Sequence, residues 1–293
     1  MASTRVVSRA AAPRPPVRRR KRRGPRRSAG PFVVLALLIA VVGLVWRHGG
    51  GQEGPAPLVS QCTVPGTDVS LSTDQTANAA TIAAVARSRG LPARATVIAL
   101  ATALQESKLR NLDGGDRDSL GLFQQRPSQG WGTPEEVQDP VYAAGKFLDH
   151  LVEVPGWDTG DLTVVADTVQ RSAFPDAYRK WELTATALAG ALQTASPTAL
   201  SCGFEPSTTA APVADRTAAL TAAVRREAGA PTVEADGTVS VADAGWPEAT
   251  WAVAHAERFQ LTSVVLDGWR WTPTGGWETG PAYFALPLQL RLS

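Results

Sequence analysis

Histidine and cysteine are scarce in this chain, with three and two copies among 293 residues. The histidines, His48, His150 and His255, lie far apart and lack the close spacing from which zinc sites are built. The acidic loop at residues 111–119 lacks the glycine and the glutamate that an EF-hand requires, so we expect a solvated loop there. The sequence therefore predicts no metal site and no cofactor.

Acidic residues are absent from the first 27 residues, which contain eleven Arg or Lys. The rest of the chain has 18 basic against 27 acidic residues, so its charge has the opposite sign. A basic arm on an otherwise acidic chain predicts orientation at a membrane rather than nucleic-acid binding by a folded domain. A nucleic-acid-binding tail is the alternative.

Charged residues are also missing from residues 29–46, which are mostly apolar. That length is near the lower limit for spanning a bilayer, and the positive charge before it favours a cytoplasmic N-terminus. We therefore predict a cytoplasmic arm (1–28), a transmembrane helix (29–46), a linker (47–60) and extracytoplasmic domains on a single-pass cell-membrane protein. A cleaved signal peptide is the alternative, but no small-x-small cleavage site directly follows the apolar run.

The two cysteines, Cys62 and Cys202, both follow the predicted anchor. In an oxidising compartment, a matched pair of this kind predicts a disulfide. Two unrelated buried thiols are the alternative.

The remaining residues predict two domains, 61–203 and 214–293, joined by a Ser/Thr/Pro-rich linker at 204–213. After a short hairpin, the first domain has helical patterns at 73–90, 92–107, 139–152, 162–171 and 176–193. In the second domain we predict helices at 216–227 and 248–258, a strand at 238–241, and a hairpin formed by 262–266 and 269–272. The predicted fold class is a mostly α domain plus a small α/β C-terminal domain, with one N-terminal transmembrane helix.

Three motifs in the first domain occur in a distinctive order. Glu-Ser at 106–107 ends a predicted helix, and Gly-Leu-Phe-Gln at 121–124 follows after a polar loop, with Pro127 beyond it. The helical segment at 139–148 comes next. In this order and spacing, the motifs resemble those of lytic transglycosylases and goose-type lysozymes, over roughly residues 74–200.

The resemblance implies a lysozyme-like fold and cleavage of peptidoglycan glycan strands, with Glu106 as general acid and then base. A transglycosylase would produce a 1,6-anhydro end by attack of the muramic acid C6 hydroxyl. The expected position of Glu106 agrees with this role. Burial and the C-terminal end of a helix both raise the pKa of a carboxyl group, and a glycosidase acid requires a raised pKa. Two alternatives remain: a water positioned by Asp113, Asp116 or Asp118 would make the enzyme a muramidase, or Glu106 is an ordinary surface carboxylate.

One motif departs from the family pattern. The family usually carries Tyr-Asn-Ala-Gly where this chain has Gln-Arg-Ser-Ala at 170–173, and Tyr178 is near but not equivalent. The resemblance implies that Gln124 faces the substrate, and Trp131 follows the active-site turn closely enough to stack on sugars. The candidate substrate-binding residues are Ser107, Ser119, Gln124, Trp131, Gln170, Arg171 and Tyr178.

The C-terminal module, around the helix 251–258 and the hairpin 264–271, resembles a companion domain of actinobacterial cell-wall hydrolases. No nucleophile and base stand together in it, so a binding or adaptor role is expected. The favoured hypothesis is an enzyme with peptidoglycan strands and the membrane as its partners and with no nucleic acid bound. The alternative is a protein with a lysozyme fold that binds glycan or assists envelope assembly without cleaving the strand. A purely structural scaffold is the third hypothesis.

Overall fold

A computed structural model describes residues 59–171, 175–280 and 287–292. The chain from Pro57 to Ser293 forms one compact unit. The predicted cytoplasmic arm (1–28), the predicted transmembrane helix (29–46) and the predicted linker up to residue 58 lie outside the described residues.

A small antiparallel sheet joins the two ends of the first half of this unit. Strand β1 (Gln61–Thr63) pairs with β2 (Ser70–Ser72) on one side and with β3 (Ser201–Gly203) on the other. Cys62 lies opposite Cys202 in the β1–β3 register, and the two form a disulfide. The predicted disulfide is thus confirmed.

The helices begin where the sequence provides caps. Helix α1 (Thr73–Ser88) starts at a capping box in which the Ser72 hydroxyl accepts from the Gln75 amide while the Gln75 side chain accepts from the Ser72 amide. Pro92 precedes α2 (Ala93–Ser107), whose buried residues occur on all sides. The helices that follow are α3 (Pro134–Gln138), α4 (Pro140–Val152), α5 (Leu162–Gln170) and α6 (Glu182–Gln193), with a 3-10 helix at Pro175–Trp181 between the last two.

The C-terminal half packs helices against a six-stranded antiparallel sheet of order β4-β5-β9-β6-β7-β8. Its helices are α7 (Val213–Glu227), α8 (Trp246–Ala254) and α9 (Ala256–Phe259). Its strands are β4 (Pro231–Val233), β5 (Val239–Val241), β6 (Leu261–Leu266), β7 (Trp269–Thr272), β8 (Gly276–Thr279) and β9 (Leu288–Leu292).

The predicted fold class is wrong as stated. The described residues form a mixed α/β structure of nine α-helices and two antiparallel sheets, rather than a mostly α domain with a small α/β domain after a transmembrane helix. Nowhere in the described ranges is a helix both long enough and apolar enough to cross a membrane. Strands β3, β4, β8 and β9 were not predicted. The first three have only three or four residues, whereas β9 has the sequence Leu-Gln-Leu-Arg-Leu, whose alternation is typical of a strand and was missed.

Helix α1 lies at the centre of the unit and contacts both halves. It packs against α4 on one side and against α8 on the other, and its alanines allow both approaches. Polar contacts cross the same boundary: the Thr81 hydroxyl donates to Glu227 at 2.8 Å, and Arg87 pairs with Glu248 at 3.0 Å. One continuous core of buried side chains therefore runs through residues on both sides of the predicted linker.

Candidate active site

Glu106 lies in the last turn of α2, and the backbone just after it reverses sharply. Lys108 and Leu109 both adopt left-handed conformations, with φ of 58° and 59°. Such conformations are unfavourable for residues other than glycine. Side chains of α1 stabilise them here, because Gln75 donates to the Lys108 carbonyl and Asn78 to the Leu109 carbonyl, both at 2.8 Å.

Ser107 connects the end of α2 to the turn at 121–124. Its buried hydroxyl donates to the Leu122 carbonyl at 2.7 Å and lies 3.1 Å from the Ala103 carbonyl. Gly121 fits this turn because its φ is +76° and an added Cβ would lie 2.3 Å from the Val137 carbonyl oxygen. Ser107 therefore holds the turn in place and does not line the cleft that the turn borders.

A cleft of about 760 Å³ opens beside Glu106. Of the predicted substrate-binding residues, five line it: Ser119, Gln124, Trp131, Gln170 and Arg171. The Trp131 ring meets the His150 ring edge-on, with 4.6 Å between centroids. The cleft volume lies in the range typical of ligand sites, and its lining is polar and aromatic.

Two side chains contact Glu106 directly. The Tyr178 hydroxyl donates to Glu106 Oε1 at 2.7 Å, and Tyr178 is itself fully buried. Gln170 also acts on the Glu106 side chain and lowers its pKa, and the Gln170 Nε2 donates to the Phe123 carbonyl at 2.8 Å. Tyr178 thus reaches the candidate acid from a 3-10 helix, beyond the segment in which the family carries its tyrosine.

The electrostatic surroundings of Glu106 favour its neutral form. Burial raises the pKa of Glu106 above its ordinary value, although the hydrogen bonds from Tyr178 and Gln170 and the charge of Lys108 act in the opposite direction. The net effect extends the protonated form of Glu106 to higher pH.

The three aspartates of the polar loop differ in placement. Asp116 lines the cleft, whereas Asp113 does not. The Ser128 amide donates to Asp118 at 2.8 Å, and Arg126 donates to it at 2.8 Å. Hydrogen bonding from Ser128 first, and then from Arg126, holds the pKa of Asp118 well below its usual range. Asp118 therefore fixes the loop beside the cleft, and Asp116 is the loop carboxylate that faces it.

Several cleft residues were not anticipated from the sequence. Helix α4 contributes Lys146 and His150, which are four residues apart and so lie on one helical face. Their spacing was visible in the sequence, but it does not distinguish a face that borders a cleft from one that borders bulk water.

A second concavity, of about 670 Å³, lies along α7 beside Val233 and Gly237. Its lining is mainly apolar, and Arg225 is the one titratable side chain among the residues that border it. It holds no carboxylate that could act as an acid, so the cleft at Glu106 is the better candidate active site.

Comparisons with known proteins do not assign a function to this chain. No protein-family model matches the chain, and no curated protein matches it in sequence. A functional assignment therefore depends on the cleft itself and on the motifs that border it.

Proposed function

We propose that this protein cleaves the glycan strands of peptidoglycan, as a lytic transglycosylase or a muramidase, with Glu106 as general acid and then general base. The observation that carries the proposal is the placement of Glu106, a partly buried carboxyl group with a raised pKa that faces a polar cleft. The likeness of the motifs at 106–107 and 121–124 to those of glycan-cleaving enzymes supports a glycan as the substrate.

The mechanism begins with the proton on Glu106. Breaking a glycosidic bond requires protonation of the leaving oxygen, and burial keeps that proton available at higher pH. Because Tyr178 donates to Oε1, it favours the arrangement in which Oε2 carries the proton and offers it to the substrate. Once the bond has broken, the Glu106 carboxylate accepts a proton from the attacking hydroxyl.

The attacking hydroxyl determines the product. The C6 hydroxyl of muramic acid gives a 1,6-anhydro sugar, and a water gives a reducing end. Asp116 is the loop aspartate that lines the cleft, so we propose it as the residue that would orient this water. The proposal therefore covers both outcomes and assigns the hydrolytic one to Asp116.

The disulfide supports a location outside the cytoplasm. Stable disulfides form in oxidising compartments, and peptidoglycan lies in such a compartment. We therefore propose that the enzyme acts on the extracytoplasmic side, where its substrate is.

One observation favours a second function, glycan binding without cleavage. Where the family pattern has Tyr-Asn-Ala-Gly, this chain has Gln170 and Arg171, and both line the cleft. A cleft that keeps its contacts with sugar but not the family's geometry would bind the strand and leave it intact.

The test is digestion of purified peptidoglycan by the full-length protein, with mass spectrometry of the released fragments. We expect 1,6-anhydro or reducing-end muropeptides from the wild type and none from Glu106→Gln. Glu135→Gln is the matched control, because Glu135 is an exposed glutamate on α3 outside the cleft. Release of fragments by Glu106→Gln at the wild-type rate would refute the assignment, and binding without release by the wild type would establish the second function.

A further inference from the structure

The cleft carries basic side chains in excess of its acidic ones. Three of its basic residues already have an acidic neighbour: the pairs are Arg126–Asp118 at 2.8 Å, Arg117–Asp116 at 4.0 Å and His150–Glu153 at 3.9 Å. Two further cations line the cleft, Lys146 and Arg171. Neither has a carboxylate within ion-pair distance in the part of the chain that the structure describes.

Glu106 is the one acidic residue of the cleft lining outside these pairs, so two cations face a single carboxyl group. Burial also raises the pKa of Glu106, which shifts the loss of its proton to higher pH. The unpaired basic side chains of the cleft lining therefore outnumber the unpaired acidic ones, and a concave site with an excess of one charge attracts ligands of the opposite charge.

The two cations approach the cleft from different helices. Lys146 lies in the middle of α4, and Arg171 is the residue that ends α5, in a left-handed conformation with φ of 53°. A left-handed arginine is unfavourable, and such conformations are concentrated at ligand sites. A strand lying in the cleft would therefore meet one cation from α4 and one from the end of α5.

We propose that Lys146 and Arg171 form a subsite for the carboxylate that muramic acid carries on its lactyl substituent. The proposal rests on the proposed function, since it takes a muramic-acid glycan as the substrate. In a strand without peptides, that carboxylate is free. When a stem peptide is attached, it becomes an amide and the peptide supplies carboxylates of its own.

The chemistry of the two side chains suits this ligand. An arginine guanidinium pairs with a carboxylate through two parallel hydrogen bonds, and a lysine acts as a compact point charge. Neutral glycans of the same length lack the carboxylate, so they provide a direct comparison.

The experiment measures binding by full-length Glu106→Gln protein, in which cleavage is blocked. The probes are a peptide-free muramic-acid oligosaccharide, the same oligosaccharide with stem peptides, and a neutral chitooligosaccharide of equal length. Adding Lys146→Gln or Arg171→Gln should weaken binding of the peptide-free muramic-acid probe by roughly threefold to tenfold and leave the chitooligosaccharide unchanged. Lys180→Gln is the matched control, because Lys180 is an exposed lysine outside the cleft lining.

The outcomes separate the subsite from the proposed function. A loss confined to the peptide-free probe supports the lactyl carboxylate as the ligand, and a loss confined to the peptide-bearing probe overturns that assignment in favour of the carboxylates of the stem. Unchanged affinity for both acidic probes overturns the subsite while cleavage by the wild type leaves the proposed function standing. An equal loss for the neutral probe also overturns it, because the two residues would then be binding sugar. Failure of wild-type protein to cleave and of Glu106→Gln to bind any probe would overturn both.

Discussion

Two glutamates of this chain have similar chemistry and very different access. Burial raises the pKa of both Glu106 and Glu227, and each accepts a hydrogen bond from an aromatic side chain. The donors are the Tyr178 hydroxyl, 2.7 Å from Glu106, and the Trp251 indole, 2.8 Å from Glu227. Glu106 lines the cleft, whereas the Glu227 side chain is only 9% exposed. A raised pKa therefore does not identify a catalytic acid unless its proton can reach a substrate.

Glu227 belongs to a buried hydrogen-bond network between the two halves of the unit, which we call the closed network. Its Oε2 also accepts from Thr81 of α1 at 2.8 Å and lies 4.0 Å from Nε2 of His255, the residue that follows α8. That distance would suit an ion pair, but burial lowers the pKa of His255 to about 3, so the ring is neutral near neutral pH. The network is thus a set of satisfied hydrogen bonds that joins α1, α7 and α8, and its role is structural.

The largest expected effect distinguishes the two glutamates by activity. Glu106→Gln keeps the size of the side chain but cannot protonate the leaving oxygen, so kcat should fall by about 10²–10⁴-fold. Glu227→Gln should retain most of the activity, because its amide oxygen can accept both hydrogen bonds that Oε2 accepts. Turnover of peptidoglycan strands is the measurement, with urea unfolding to verify that both variants fold. If both variants fold and lose activity equally, access to the cleft does not distinguish the two glutamates.

The next effect distinguishes them by stability. Glu227→Ala removes the acceptor of Thr81 and Trp251; the Trp251 indole loses its partner, whereas the Thr81 hydroxyl can turn to His255 Nε2 at 3.3 Å. A buried unsatisfied donor costs about 1–3 kcal/mol, so the free energy of unfolding should fall by about that amount. Glu106→Ala should cost less, because water in the cleft can replace the lost acceptor. Chemical denaturation of both variants measures the difference, and a greater loss at Glu106 would contradict it.

The elements around Glu106 were largely predictable from local sequence, and the contacts between distant segments were not. The end of α2, the turn at 121–124 and the disulfide each follow from a short pattern or from residue type. Tyr178 reaches Glu106 across 72 residues of chain, and no spacing in the sequence specifies that contact. The burial of Glu227 depends on the packing of α7 and α8 against α1, and a polar residue in an amphipathic helix gives no sign of it.

The fold class was mispredicted for the same physical reason. Periodicity identifies elements that are long enough to have a face, such as α4 and β6. A strand such as β3, with three residues, forms because β1 offers it an edge and the disulfide holds it there. Sheet order and the shared core are likewise set by packing between segments that are remote in sequence.

A smaller effect concerns the donor to Glu106. Tyr178→Phe removes the hydroxyl that lowers the pKa of Glu106, so that pKa should rise further. An acid is active below its pKa, and the alkaline limb of the pH–rate profile should therefore move to higher pH. The loss of orientation should reduce kcat by about threefold to tenfold, the effect of one hydrogen bond. Tyr142→Phe is the control, because Tyr142 donates to the Trp131 carbonyl and does not contact Glu106. A limb that stays in place in Tyr178→Phe would show that the hydroxyl does not tune Glu106.

The smallest expected effect concerns the pH dependence of the closed network. His255 has a pKa of about 3 in the folded protein, against an ordinary value of 6.5, because burial disfavours its charged form. Below pH 6.5 the unfolded chain therefore binds a proton that the folded protein does not, and this contribution to stability falls as the pH decreases toward 3. The raised pKa of Glu227 acts in the opposite direction, because the folded protein then binds the extra proton.

In a comparison of wild type with His255→Gln, the Glu227 contribution is present in both proteins. We expect the variant to lose less unfolding free energy than the wild type between about pH 7 and about pH 5, measured by urea denaturation. Equal losses would mean that His255 takes up a proton in the folded state, and the network would then contain an ion pair with Glu227 after all.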